Sequence, residues 1–384
     1  MEGDYVKELE QYLRIFASAV NGKVPLIDEP IDLDKLYRFT GSHSISATVA
    51  PVLLKSDIKL DRSQWLKWKE IFYKNYRRTL LYDDERKMIF SACEDNQISF
   101  IPLKAVVLNR LYPVYGSREF ADNDILVGSD VLDKLEPIMS AFGYEFIPVS
   151  ITVHYIFHKE PMYNFEIHHR LFPDRKEFRL FNEYFQKRFD NLRHSSECEL
   201  SFGNEDNYIY LLAHAYKHNL ESGTGLRTLS DIYLYRKKIK TDKEYLDRTL
   251  KELEIYEFAK ELENLSEKLF ATDAPFSFSS LTEEELALLK KISGSGTFGT
   301  AEAFIRNKYK RYSGEKKSFR RIHYFKKRLF PDIGLYKKKH PVLYRHKLLH
   351  PWFYIYRPIY SVFSDSKSIK NEIKVVSKMK KEKE

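Results

Sequence analysis

Two acids one residue apart, Asp122 and Asp124, stand where the apolar run Ile125–Val127 begins. In a strand, residues i and i+2 share a face. Two carboxylates on one face at a strand mouth can bind one or two Mg²⁺ ions, which hold phosphates for attack. Upstream, Lys104 sits at a strand-to-helix turn, where helical N–H groups favour phosphate. Gly116-Ser117-Arg118 supplies a turn, a hydroxyl and a planar cation suited to phosphate oxygens. The stretch Ile101–Val127 therefore combines an anion cradle, cations and metal-binding acids.

Further along, Asn164–Leu171 reads NFEIHHRL. As a strand it turns Phe165 and Ile167 one way and Glu166 and His168 the other. If it lies beside the Asp124 strand, Glu166 joins the two aspartates, either as a metal ligand or as a general base. His168 then orients Glu166 or touches phosphate. Each candidate also has a plainer structural reading. Arg118 can pair with Asp122 or Glu119, and Ser117 can cap its turn. His214 and His218, at i and i+4, share a helical face without the acid that would complete a metalloprotease motif. Arg227 and Asp231 have the same spacing and fit a helix-surface ion pair.

LKA at Leu103–Ala105, LYP at Leu111–Pro113, Ser117-Arg118 and DNDILV at Asp122–Val127 together resemble the polymerase-beta-like nucleotidyltransferases. More narrowly they resemble the bacterial group known as uncharacterised nucleotidyltransferase family five. FEIHHRL, LLAHAYKH (Leu211–His218), Leu229-Ser230-Asp231 and the segment Leu329–Pro358 extend the resemblance over most of the chain. The resemblance implies transfer of a nucleoside monophosphate from an NTP. Asp122, Asp124 and Glu166 would be the catalytic and metal-binding acids, with Mg²⁺ as the ion and Mn²⁺ as its alternative. Lys104, Ser117, Arg118 and His168 would bind the nucleotide. It also makes His214, Arg227 and Asp231 cleft residues. The chain departs from the family pattern at Ala105, where glycine is usual, and at Asn123, inside the family's Asp-Ile-Asp. A methyl group at 105 limits the approach of phosphate to the backbone. Asn123 should point away from the acids.

The elements that must position these residues form an α+β, or mixed α/β, fold. Residues 1–97 read as a helical region, with Gln64–Asp95 as one long amphipathic helix capped by Ser63. Residues 98–171 alternate strand and helix and form the nucleotidyltransferase core. Residues 172–304 return to helix, beginning with an Asn204 cap, and complete the cleft. Residues 305–384 are basic and rich in aromatics, cut by Pro331, Pro341, Pro351 and Pro358.

At 384 residues and 31% charged, the chain has the composition of a soluble globular protein. It shows no run of about 18 apolar residues and no hydrophobic signal core at its start. Two cysteines, Cys93 and Cys198, without metal-ligand spacing, argue against a disulfide framework or zinc site and for a reducing, cytoplasmic compartment. The net charge of +9 is uneven: residues 305–384 hold 24 basic and 6 acidic residues, leaving the body at −9. Such a tail meets RNA, an anionic membrane surface or the protein's own acidic face. Trp352, Phe353, Tyr354 and Tyr356 could stack on bases or lie at a membrane interface. The implied partners are an NTP donor and an acceptor that is a small molecule, a sugar or a protein. The competing readings are an abortive-infection-type toxin that modifies RNA, a non-catalytic nucleotide-binding scaffold, and a peripheral membrane protein docked through the tail.

Overall fold

The computed structural model describes residues 2–27, 30–128, 131–147, 153–189, 192–271, 275–297, 299, 301–310, 317–330, 345–356 and 366–381. Helices α1 (Glu2–Val20), α2 (Leu33–Ser42), α3 (Ser46–Leu53) and α4 (Arg62–Asp95) precede strand β1 (Phe100–Pro102). The cap of α4 is Asp61, two residues before the expected Ser63. Its carboxylate accepts from the Gln64 N–H while the Gln64 side chain accepts from the Asp61 N–H. This reciprocal pair satisfies two helix-end donors. Trp68, Asn75, Thr79, Tyr82, Glu85, Ile89 and Cys93 are the buried residues of α4, recurring every three or four positions except the first step of seven. That spacing keeps one face inward along the whole rod.

After β1 the chain makes only one α-helical turn, α5 (Ala105–Leu108), and a 3₁₀ turn over Asn109–Leu111. The expected anion-binding helix start is therefore reduced to a short turn. Strand β2 (Asn123–Val127), helix α6 (Leu132–Ala141) and strands β3 (Glu145–Ile147), β4 (His154–Lys159) and β5 (Tyr163–His168) complete a five-stranded sheet. Its order is β1-β2-β5-β4-β3. Only β2 and β5 run parallel; the other neighbours are antiparallel.

Period-two alternation gives the sheet two different faces. Phe100, Ile125, Val127, Phe157, Phe165 and Ile167 form a core with Ile89 and Cys93 of α4 and Leu135 and Met139 of α6. Asn123 also turns towards α4, where its Oδ1 accepts from Arg86 at 2.6 Å. It thus points away from the acids, as the strand period requires. The opposite face carries Asp124, Glu166 and His168.

That polar face looks onto helices. Helix α7 (Arg179–Arg188) and the short hairpin of β6 (Arg193–His194) and β7 (Leu200–Ser201) lead to α8 (Asn204–Glu221), α9 (Leu226–Lys238), α10 (Lys243–Glu252), α11 (Tyr256–Phe270) and α12 (Glu283–Ser295). Gly203, rather than Asn204, takes the cap position of α8. The two helical regions are not separate bodies. Phe16 of α1 meets Phe270 of α11 edge-on at 5.3 Å, and Asn21 donates to the Phe270 carbonyl at 2.9 Å. Ile101, Leu103, Leu111 and Leu126 enter the same core, so the sheet is clamped to the helices from the start of the cleft.

In the basic segment, α13 (Ala301–Lys310), α14 (Lys317–Leu329) and α15 (Ser366–Lys381) gather around Ile305, Tyr324, Val375 and Val376. Glu372 accepts from Tyr324 and Arg328, both at 3.1 Å. Residues 350–356 are helical. Phe353 is buried there, whereas Trp352 is 71% exposed. Pro331, Pro341 and Pro358 lie outside the described residues. Among the described residues no helix is long and apolar enough to cross a membrane.

Candidate active site

A cleft of about 500 Å³ opens between the polar face of the sheet and helices α8 and α9. Asp122, Asp124, Glu166, His168 and Lys104 all line it. Asp124 and Glu166 are register partners on the parallel pair β2–β5. Asp122 immediately precedes β2 and remains half-buried, whereas Asp124 is fully buried.

Asp124 is the hub. Its Oδ1 accepts from Lys104 Nζ at 2.5 Å and from His168 Nε2 at 2.8 Å. Its Oδ2 is buried without a hydrogen-bond partner among the described residues. A buried, unpaired carboxylate oxygen is costly and suits a cation that comes from outside. Glu166 Oε2 lies 3.9 Å from Lys104 Nζ and 3.6 Å from both His154 Nδ1 and His168 Nε2. His168 thus orients the two acids and does not stand alone as a phosphate contact. His154, absent from the sequence reading, sits directly across from His168 in the β4–β5 register.

Electrostatics separates the two aspartates. Burial and then the charge of Asp124 push the Asp122 carboxyl up to about 7. Burial also works against the Asp124 charge, but the Lys104 ammonium and the His168 hydrogen bond outweigh it and hold Asp124 below the usual carboxylate range. Burial disfavours the Lys104 charge in turn, and Asp124, with Tyr210 and the other acids, more than restores it. One acid is therefore firmly ionised and its neighbour is poised near neutrality, a pattern typical of sites that bind cations or move protons.

Lys104 itself has φ 48° and ψ −111°. A non-glycine residue in that region is strained, and such strain concentrates where a side chain must be aimed. Here it turns the ammonium back onto Asp124. Ala105, which follows it, is buried and lines the cleft.

Arg118 lines the cleft, and its guanidinium is engaged by the protein itself. Its Nε and Nη2 each donate to the Asp231 carboxylate at 2.8 Å, and its Nη1 donates to Asn109 Oδ1 at 3.3 Å. Tyr112 Oη donates to the same carboxylate at 2.8 Å. The bidentate pair locks the turn before β2 to α9, with both side chains 6% exposed. Asp231 therefore serves Arg118, not Arg227. Ser117 is buried beside it and is not part of the cleft lining; its carbonyl accepts from Thr48 Oγ1 at 2.8 Å. Gly116 is a packing glycine with φ +76°, and a Cβ there would fall 2.7 Å from the Tyr76 Cα.

Other cations line the cleft: Lys217 and Arg227 come from α8 and α9 on the wall opposite the sheet, and Arg78 comes from α4 beside Ala121. Among the described residues none of the three has a carboxylate within ion-pair distance. Arg227 Nη1 donates to the Glu119 carbonyl at 2.6 Å, and Arg78 Nη2 to the Ala121 carbonyl at 3.3 Å. Burial lowers the pKa of both Lys217 and Arg227, and neighbouring cations add to it. An anion in the cleft would relieve both effects. His214 and His218 also face the cleft, with rings 4.4 Å apart. Burial keeps His214 neutral and lowers His218 to about 4.

The arrangement brings a cluster of acids and three cations without acid partners among the described residues into one nucleotide-sized cleft. The orphaned Asp124 Oδ2 and the carboxylate donors fit a divalent ion. Residues 29–271 match a family model described as an uncharacterised nucleotidyltransferase. No curated protein and no solved structure matches the chain.

Proposed function

This chain belongs to the uncharacterised nucleotidyltransferase family, and we propose that it transfers a nucleoside monophosphate from an NTP to an acceptor hydroxyl or phosphate. The acceptor oxygen attacks the α-phosphorus, the bond from the α-phosphorus to the bridging oxygen breaks, and pyrophosphate leaves. The observation that carries this reading is the pairing of Asp124 with Glu166 in one register, in a cleft that also holds Arg78, Lys217 and Arg227, which have no acid partner among the described residues.

Asp122, Asp124 and Glu166 are the residues that would hold the divalent ions, Mg²⁺ or Mn²⁺. Such ions neutralise triphosphate charge and polarise the transferring phosphoryl group. Glu166, the more exposed of the strand pair, would accept the proton of an acceptor hydroxyl. Lys104 holds Asp124 in position and reaches the phosphates from the sheet side. Lys217, Arg227 and Arg78 take the outer phosphates, in place of Ser117, which lies outside the cleft lining, and of Arg118, which lines the cleft with its guanidinium engaged by Asp231 and Asn109. Catalysis rests on positioning and charge neutralisation.

Thermal denaturation with each NTP, with and without Mg²⁺, tests the reading on wild type and on Asp122→Ala/Asp124→Ala. A ligand at about 100 times its dissociation constant adds about 2.7 kcal/mol. The expected result is an ion-dependent upward shift with at least one NTP that the double variant loses. Equal shifts in both proteins would overturn it.

A second reading, in which the acceptor is RNA, is favoured by the charge of residues 305–384 and by Trp352, Tyr356 and Leu348, which are 71%, 59% and 91% exposed. RNA binding that weakens steeply with salt, and is lost on removing 345–384, would support it.

A further inference from the structure

The acid wall contains more than oxygen donors. His154, Glu166 and His168 each offer one ligand atom, and these three atoms lie within 4.8 Å of one another. Ligands that share one ion at bonds of about 2.0–2.2 Å are separated by comparable distances. The three residues come from the adjacent strands β4 and β5, with His154 and His168 in register, so the sheet holds the cluster without help from a loop. All three line the cleft. A separate observation points to an ion. Asp124, with its side chain 1% exposed, touches His168 through Oδ1 and leaves Oδ2 buried without a partner among the described residues.

Donor chemistry decides which ion. Mg²⁺ demands oxygen ligands and keeps several waters, whereas imidazole suits Zn²⁺ and the other later transition ions, Mn²⁺ standing at the weak end of that series. Two imidazoles, one carboxylate and a carboxylate oxygen in reserve form a nitrogen-rich set. The carboxylates alone would not discriminate in this way.

We propose that His154, Glu166 and His168, with Asp124 as fourth donor, form a divalent transition-metal site that prefers Zn²⁺ or Mn²⁺ to Mg²⁺. Its service to nucleotidyl transfer rests on the function proposed above; the site itself rests on the donor cluster. Lys104 modulates it, because its ammonium lies 2.5 Å from Asp124 Oδ1 and 3.9 Å from Glu166 Oε2 and so competes with an incoming cation.

The test measures metal binding without nucleotide. Metal-stripped full-length protein is titrated with Zn²⁺, Mn²⁺ and Mg²⁺ by calorimetry, and bound Mn²⁺ is followed by its paramagnetic resonance signal. The same titrations are run on His154→Ala, His154→Gln and Lys104→Met, each checked for native circular dichroism. The expected result is at least tenfold tighter binding of Zn²⁺ and Mn²⁺ than of Mg²⁺. Either His154 variant should weaken Zn²⁺ and Mn²⁺ at least tenfold and leave Mg²⁺ unchanged, and Lys104→Met should tighten all three. Equal affinity for Mg²⁺ and the transition ions, or His154 variants that bind Zn²⁺ and Mn²⁺ like wild type, would overturn it. NTP-induced thermal shifts on the same proteins separate the two readings. Selective Zn²⁺ binding with no NTP effect keeps this site and removes nucleotidyl transfer. An NTP shift with Mg²⁺ and no histidine dependence does the reverse.

Discussion

Asp124 Oδ1 lies 2.5 Å from Lys104 Nζ, and the lysine adopts a left-handed backbone, φ 48°, to bring it there. The ammonium neutralises a carboxylate that has almost no solvent contact. The two aspartates should therefore respond differently to the same substitution. Asp124→Asn leaves the Lys104 charge facing a neutral amide, and losing one partner of a buried pair costs about 3 kcal/mol or more. Asp122→Asn removes a carboxyl that burial and Asp124 push up to about 7, well above its value in the unfolded chain, so at neutral pH and above it should not destabilise the protein and should raise its stability. Both should reduce nucleotidyl transfer at least 100-fold. Urea denaturation beside a pyrophosphate-release assay checks the split. Equal destabilisation by the two variants would contradict the assigned electrostatics.

The Arg118–Asp231 pair is the clamp between the turn before β2 and α9. With both side chains 6% exposed, Arg118→Met alone should cost about 3–5 kcal/mol by leaving Asp231 buried and charged. The double variant Arg118→Met/Asp231→Leu removes both charges and should recover part of that loss. A double-mutant cycle in urea measures the coupling. A coupling near zero would show that the pair is not what joins the elements.

Lys217 offers the opposite case. It lines the cleft and has no acid partner among the described residues, so its charge is available to a ligand. Lys217→Met should leave the melting midpoint within a degree or two of wild type and weaken NTP binding about tenfold, equivalent to about 1.4 kcal/mol. Calorimetric titration of wild type and variant with the NTP that gives a thermal shift tests this. Unchanged affinity would take Lys217 out of the phosphate contacts.

These three cases mark how far the site was legible in the chain. The strand period placed Glu166 and His168 on the face opposite Phe165 and Ile167, and the structure has them there. The same rule sent Asn123 away from the acids. Long-range partners carry no local signal. Arg118 meets an acid more than a hundred positions downstream, so its spacing near Asp122 suggested a phosphate contact or a local ion pair. His154 becomes visible only through the β4–β5 register, and Lys217 only once α8 is known to face the sheet. Gly116 read as a flexible turn, yet its lack of a side chain lets the turn pack against Tyr76 of α4. The short α5 was not legible either, because the apolar run Ala105–Leu108 continues the helix period while the chain turns into a 3₁₀ step.

His43 ties the cleft's outer rim together and gives stability a pH dependence. Its Nδ1 accepts from the Leu226 N–H at 3.4 Å, and its Nε2 donates to the Ser293 carbonyl at 3.0 Å. The ring is fully buried between α2, α9 and α12. Both contacts fit the neutral ring with its proton on Nε2; a second proton on Nδ1 would break the bond from Leu226. Burial accordingly lowers its pKa from 6.5 to about 4, against the opposing effect of the Ser293 carbonyl. The unfolded chain then binds more protons than the folded one between those values. The stabilisation is fully present above pH 6.5 and is lost progressively as pH falls towards 4, by about 3 kcal/mol in total. Replacing the ring with a group that does not titrate, as in His43→Gln, should lower stability at pH 8 and make the decline between pH 6.5 and 4 shallower than in wild type. Other buried histidines contribute to the decline in both proteins, so the difference between the two curves isolates His43. Urea midpoints at half-unit pH steps measure it, and parallel curves would show that His43 titrates in the folded protein as it does in the unfolded chain.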